Sequence, residues 1–590
     1  MQARQTTRLA YSRRPSLAAI CASSMSVGLL MSACGGGGGG GAAPAAADTT
    51  PPTAQASAPL NSASQVATQT SISVTFSEAM DAVTLSAATF TLSAAGAAVP
   101  GSVSTSGSTA TFTPAAALAA GTLYTANVSI AARDLAGNAL AAAHTWSFTT
   151  VVGGTAKAWS PPVLLESGDA TARLPAIAAT SDDVPSGAVQ ATAVWLQDGS
   201  VYANRYQGGV WLGAVLIENE TTEATGPRVA MGAMGRAVMT WTFGFNGVYS
   251  VWSNVYDPIP AGGAQFLPFA RENARQISGG GNASGPQVRF DGSGFDAFNV
   301  WTEYVADRQP AAYHPAQRRY LFVPCETLPC AWDAANFGWR SAGLLEVGGR
   351  DASDPQVAAF GSGNAVAAWR KYQAGVWAST HTSAGGWAAA VQVTPGSTST
   401  ADKVAVAAAA DGSAAIALWI DHSTARATLH ASRLSGTAWS GPVAIDNAAS
   451  GSSDDPQVVI DALGNAMIVW QQGGDIYARR CPAGELSGCG APTLIESSTN
   501  AARFPRLAGA LNGDAVVAWR EATASGESPR IYANHYVAAN AVWGASAAFI
   551  GEAAVFNEGP EVAMDKRGKA TVVWAKDEAG KTNIVASRFE

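Results

Sequence analysis

The sequence predicts an all-β chain: a β-sandwich, then eight four-stranded sheets set as the blades of a β-propeller. Three observations carry this. Short alternating strands at sandwich-like spacing fill residues 51–151. From residue 157 to the end a tryptophan repeat recurs, and no stretch has helical periodicity. Charged residues make up only 13% of the chain, about half the usual share, and small and β-branched residues replace them.

Residues 1–33 read as an export signal rather than as fold. Arg4, Arg8, Arg13 and Arg14 form a positive start, and 17–33 is short, small and apolar. The segment ends in LMSAC, residues 30–34, which resembles the lipobox of bacterial lipoproteins. That resemblance implies that Cys34 is lipidated and becomes the first mature residue; a plain cut near Ala33 is the alternative. Gly35 after the cysteine implies, in the lipoproteins it resembles, sorting to the outer membrane. Ser12-Arg13-Arg14 resembles a twin-arginine signal, but Pro15 and Ser16 depart from it and favour the general secretory route. Residues 34–50, CGGGGGGGAAPAAADTT, form a Gly/Ala/Pro tether with no apolar face to bury.

No later stretch approaches the roughly 18 uninterrupted apolar residues of a spanning helix, so the membrane is expected to be reached through the lipid alone. Without the four arginines of residues 1–33, 31 cations face 43 acids, a balance of −12. That acidity argues against a nucleic-acid partner. Four cysteines remain, in PCETLPC (Cys325, Cys330) and RRCPAGELSGC (Cys481, Cys489). Two close pairs in an exported protein read as two local disulfides. Zinc shared by all four is the rival, but the spacings are not finger-like.

In residues 51–151, SISVTFSEAMD (71–81), TATFTP (109–114), GTLYTANVSI (121–130) and HTWSFTT (144–150) alternate apolar and polar positions. With DLAGN (134–138) they resemble the bacterial Ig-like domain first described in S-layer proteins. The resemblance covers about 100 residues and implies a seven-strand sandwich serving as spacer or adhesive module. Asp134 and Asn138 invite a calcium reading; a turn is the plainer one.

In the second part, Trp195, Trp241, Trp301, Trp369, Trp419, Trp470, Trp519 and Trp574 fall into register, 46 to 68 residues apart. An alanine stands four residues before each. An even offset puts both side chains on one strand face. A small residue near one end and a large ring further along fit sheets that crowd near an axis and spread away from it. A strand opening in Pro-x-Val or Pro-x-Leu precedes six of the pairs, with looser versions at 173–179 and 402–407, and third and fourth strands such as DIYARR (475–480) and WLGAVLIE (211–218) follow. The chain enters on a fourth-type strand, 158–166, and leaves on a third-type one, so the entering strand is expected to complete the last blade and close the ring. DDPQVVIDALGNAMIVW (454–470) superficially resembles a sialidase Asp-box. Its aspartate precedes the tryptophan by nine residues rather than five, so the set reads as architecture.

Function is then expected on the irregular loops of one face. The residue after the strand-one proline gives a ring at the channel mouth: Arg228, Gln287, Gln356, Lys403, Gln457, Arg506 and Glu561. Such a ring suits an anionic or hydroxyl-rich ligand; lining a wet channel is the alternative. Loops between strands two and three add Phe243, Phe245, Tyr304, Arg370, Tyr372, Asp421, His422 and Glu521, a mixture that suits sugar stacking or a protein hot spot. Glu166, Glu218, Glu346 and Glu496 recur at one blade position, so they follow the repeat rather than form a catalytic pair. No metal spacing, nucleophile elbow or phosphate loop is present, and no cofactor is implied. The reading is an outer-membrane, lipid-anchored, non-catalytic recognition or adhesion module, binding a glycan or an envelope or host protein. A carbohydrate hydrolase or lyase using acids such as Glu223, Asp354, Asp402 or Glu558 is the second reading. A scaffold subunit of an envelope assembly is the third.

Overall fold

The computed structural model describes residues 48–590 apart from 60, 62, 67, 69, 120, 151–157, 169, 181–188, 219–222, 259–273, 280–281, 307–311, 322–337, 347–350, 395–399, 497, 524–527, 540, 545–546, 555–557, 566 and 579. The export signal, Cys34 and the Cys325/Cys330 pair lie outside the described residues. The chain divides into two compact units, residues 1–153 and 154–590. No helix among the described residues is long and apolar enough to cross a membrane.

The first unit is a two-sheet sandwich. One sheet runs in the order Ala54–Ala58, Ile72–Phe76, Thr109–Pro114, Gly101–Ser106; the other runs Ala63–Val66, His144–Thr150, Leu123–Val128, Phe90–Ala94, Ala97–Ala98. Nine strands are therefore described where seven are expected, and Ala63–Val66 pairs parallel to His144–Thr150. Alternation sends Ile72, Val74 and Phe76 inward against Phe90, Phe112, Tyr124 and Trp146. In DLAGN, Asp134 Oδ1 accepts the Ala136 and Asn138 amides at 2.8 Å, and its Oδ2 accepts Asn138 Nδ2 at 2.8 Å. These bonds occupy both carboxylate oxygens with the turn itself.

The second unit holds eight sheets in chain order, one per tryptophan. Sheet six is typical: Ser453–Ile460, Ala466–Gln472 and Asp475–Cys481 pair antiparallel, and Thr493–Leu494 adds a short fourth strand. In sheets one, three, four, five and seven the fourth strand is broken into two pieces, both paired with the third. A polar residue on the third strand fastens that break. In sheets four and five, Ser379 Oγ donates to the Ala388 carbonyl and Ser432 Oγ to that of Ser440, both at 2.7 Å; in sheet six Arg479 Nε donates to the Gly490 carbonyl ahead of the fourth strand at 2.6 Å.

The repeated side chains are structural. Each of the eight tryptophans is at most 2% exposed. Trp195, Trp301, Trp470 and Trp519 donate their indole N–H to Gln197, Glu303, Gln472 and Glu521, two residues on and so on the same face. In the sheet-six turn, Asp461 Oδ1 accepts the Leu463 and Asn465 amides at 3.0 and 2.8 Å, and Gly464 takes φ +80°. The Cys481–Cys489 disulfide closes the loop between the third and fourth strands of this sheet.

The first strand of each sheet packs against that of the next, and Glu561–Met564 of sheet eight packs on Ala172–Ala179 of sheet one. Val163 and Leu164, from the beginning of this unit, pair antiparallel with Ala586 and Val585 of its last strand. The bonds there repeat those found elsewhere. Ser587 Oγ donates to the Ser160 carbonyl at 2.6 Å, as Ser379 and Ser432 do in their own sheets. Asn204 Nδ2 donates to Leu165 O at 2.8 Å, as Asn254 does to Ile217 O and Asn534 to Ile495 O between other neighbours.

Candidate functional site

The first strands share one irregularity that places the site. In sheets one to seven two residues drop out of the ladder, for example Gly226–Pro227 and Asp455–Pro456. The first of them takes positive φ: Leu174, Gly226, Gly285, Asp354, Lys403, Asp455 and Phe504 lie between +46° and +65°. A proline second in such a bulge forfeits no ladder bond, which explains the Pro-x-Val signature. The next residue rejoins the ladder opposite the one preceding each tryptophan, as Arg228 opposite Thr240 and Gln457 opposite Val469.

This register corrects one member of the expected ring. Sheet five has Val404 in place of the proline, and Ala405, not Lys403, sits opposite Leu418. Lys403 is the bulge residue. Its Nζ stands 3.3 Å from Asp455 Oδ1 and 3.8 Å from Asp454 Oδ1. Burial lowers its affinity for a proton, but those two carboxylates outweigh it and hold the amine above its usual range.

A channel of about 600 Å³ is lined by first-strand residues of all eight sheets, among them Arg228, Gln287, Arg289, Gln356, Gln457, Arg506 and Glu561. Arg506 Nε meets Glu561 Oε1 at 3.0 Å. Enclosure by the walls lowers the pKa of Arg506, but the Glu561 charge reverses the balance and raises it. Arg228 and Arg289 make no ion pair among the described residues; each donates only to a backbone carbonyl, of Pro227 at 3.0 Å and Val288 at 2.8 Å. Arg289, absent from the expected ring, is exposed to the channel; desolvation by the lining first and the Arg228 charge second hold it below its usual range, with Glu561 opposing. Its signal in the sequence is a broken pattern. The position two beyond the ring residue is alanine in six sheets and Val459 in a seventh.

Two clefts open beside the channel on sheets two to four. The first, about 420 Å³, is lined by Gly226, Arg228, Tyr249, Gly285 and Gln287. The second, about 700 Å³, is lined by Arg228, Gln287, Tyr313, Asp354, Arg370 and Tyr372. Arg228 and Gln287 thus border both clefts and the channel. Tyr372 is 62% exposed, Tyr249 44% and Tyr313 38%. Tyr304 backs Tyr313 with ring centroids 5.1 Å apart. A Cβ on Gly244 would stand 2.7 Å from the Tyr249 ring, so that glycine lets the ring lie across the hairpin. Arg370 is positioned by Ser353 Oγ at 3.0 Å and Asp354 Oδ2 at 3.5 Å.

Other sequence-selected residues go elsewhere. Phe245 is exposed, but Phe243 is only 8% exposed and meets Trp252 edge-on at 6.0 Å, so it belongs to the core rather than the mouth. Glu521 is buried as the acceptor for Trp519. Asp421 accepts the Ser423 amide in a turn. His422 Nε2 lies 3.0 Å from Asp402 Oδ1 on sheet five, with both side chains partly exposed. Glu558 accepts the Leu174 amide. The recurring glutamates are buried fasteners: Glu166 pairs with Lys581 at 3.2 Å, Glu346 with Lys371 at 2.9 Å, and Glu496 accepts the Ser498 amide. In the first unit, carboxylate oxygens of Asp48, Glu78 and Asp134 lie within 4.8 Å of one another.

Residues 48–150 match the family model described as bacterial Ig-like domain. No curated protein sequence matches the chain. Solved structures similar to it include the Dos1 propeller, at 7% identity over 73% of this chain and 95% of that one, with a TM-score of 0.41. A protein of unknown function from Dyadobacter fermentans is similar at 14% identity over 64% and 97%, with a TM-score of 0.35. The polysaccharide lyase Uly1 is similar at 9% identity over 63% and 99%, with a TM-score of 0.37.

Proposed function

We propose that this is an exported envelope protein, lipid-anchored at Cys34, whose eight sheets close into a propeller that recognises a glycan or a protein without chemical turnover. Sorting to the outer membrane follows from Gly35 in the lipobox reading. The pairing of Val163–Leu164 with the last strand supports closure, because it covers two sheet edges at once. One observation carries the recognition reading. Tyr249, Tyr313 and Tyr372 are exposed around two clefts on neighbouring sheets, where the repeat gives way to irregular residues. Exposed tyrosines beside arginine and amide groups suit stacking on sugar rings or on a partner's side chains.

Full-length protein on a glycan array, alongside capture from intact cells, tests it. Binding to a glycan or a stoichiometric protein partner, with the bound polymer recovered at its original length, is the expected result. Shortened polymer would favour the second reading, turnover. For that reading the specific observation is the Asp402–His422 pair, arranged as a base and its orienting carboxylate. His422→Ala would then abolish cleavage.

A further inference from the structure

We infer that the junction of the two clefts with the channel binds an acidic polysaccharide, its carboxylate or sulfate groups held by Arg228 and Arg289 and its sugar faces by Tyr313 and Tyr372. This rests on the recognition reading and names its ligand class.

The charge distribution points there first. With residues 1–33 set aside the chain is strongly acidic, yet the described channel lining carries three arginines and one acid. That acid, Glu561, is already bonded to Arg506. Two guanidiniums are left without an ion-paired carboxylate among the described residues, Arg289 exposed to the channel and Arg228 half-buried in its wall. Like charges lining one channel raise each other's free energy, and an anion between them offsets that cost. A guanidinium also offers paired donors matching the oxygens of a carboxylate or sulfate.

The repeat supplies the second argument. Where Arg289 stands, the other seven sheets carry alanine or valine. Shape therefore asks for a small side chain at this position, and only sheet three departs from it. Desolvation by the lining and the neighbouring Arg228 charge hold Arg289 below its usual range, and Glu561 opposes them only in part. Arg228 is the link outward. It borders the channel and both clefts, so a chain lying across Tyr313 and Tyr372 can present an acidic group to it and the next group to Arg289.

The test is gel retardation of the full-length protein by polygalacturonate, by dextran sulfate and by carboxyl-reduced polygalacturonate. At least one acidic polymer is expected to retard it, with the neutral polymer failing; which one succeeds separates carboxylate from sulfate. Arg228→Gln and Arg289→Gln should each weaken retention roughly tenfold and flatten its salt dependence, with an unchanged thermal midpoint showing that each variant folds. Equal retention by neutral and acidic polymers, or by wild type and both variants, overturns the inference while leaving glycan recognition standing. Retention by no polymer in this set, or in a wider glycan array, would remove glycan recognition as well.

Discussion

Sheets two and three and sheets five and six place the same bulge at the same edge of the channel, and fill it with opposite chemistry. At the bulge, sheets two and three have Gly226 and Gly285, which leave space, and Arg228 beside them has no ion-pair partner among the described residues. Sheets five and six have Lys403 and Asp455 there, locked together at 3.3 Å, and His422 is held by Asp402. Sheets two and three keep exposed tyrosines beside Arg228; sheets four to six satisfy their bulge charges internally, Asp354 with Arg370 as Lys403 with Asp455. The backbone needs positive φ at this position, and glycine, leucine, aspartate, lysine and phenylalanine all supply it. The side chain is thus released from architectural duty, and what occupies it differs from sheet to sheet.

This contrast can be broken at several points, starting with the shared scaffold. Trp470→Ala removes a ring that is 0% exposed and should cost about 3–5 kcal/mol, read as a large fall in the calorimetric midpoint of the second unit. Next comes Asp296, the first residue of the second strand of sheet three. Burial pushes its carboxyl up to about 6, with Arg319 at 3.6 Å opposing and Asp291 reinforcing. The folded state then holds this proton more tightly than the unfolded chain does. Its stabilising contribution is present below about pH 4 and lost as pH rises through about 6. Denaturant titrations should show stability falling across that window by on the order of 2 kcal/mol, and Asp296→Asn should flatten this fall.

A smaller loss is expected at the joint between the beginning and end of the second unit. Asn204→Ala leaves the Leu165 carbonyl without its side-chain donor and should cost about 1–2 kcal/mol, comparable to Asn534→Ala between sheets six and seven. Equal values by chemical denaturation would make this joint like any other pair of sheets. Least of all should the mouth variants affect stability. Tyr372→Ala is expected to stay within about 0.5 kcal/mol of wild type, since its ring is 62% exposed.

The scaffold was legible because it repeats. An alanine and a tryptophan four residues apart mark a strand face whichever loops intervene, and the bulge proline marks where the first strand bends. The site was less legible for the same reason. Lys403 was misplaced by two positions because sheet five lacks the proline that anchors the count. Phe243 looked like a loop aromatic, although the second strand of sheet two extends to Phe245 and carries Phe243 into the core. Arg289 went unselected because a ring defined by one position per sheet ignores the next residue on the same face. Its mark in the sequence is its departure from the alanine or valine that the other seven sheets carry at that repeat position.

The central claim is that ligand recognition belongs to the irregular residues of sheets two to four. It is tested most directly by comparing Tyr313→Ala/Tyr372→Ala with Asp402→Ala/His422→Ala for retention by whichever ligand the wild-type protein captures. The first pair should lose at least tenfold in affinity with its thermal midpoint unchanged, and the second should bind as wild type does. Loss confined to the Asp402/His422 pair would contradict it.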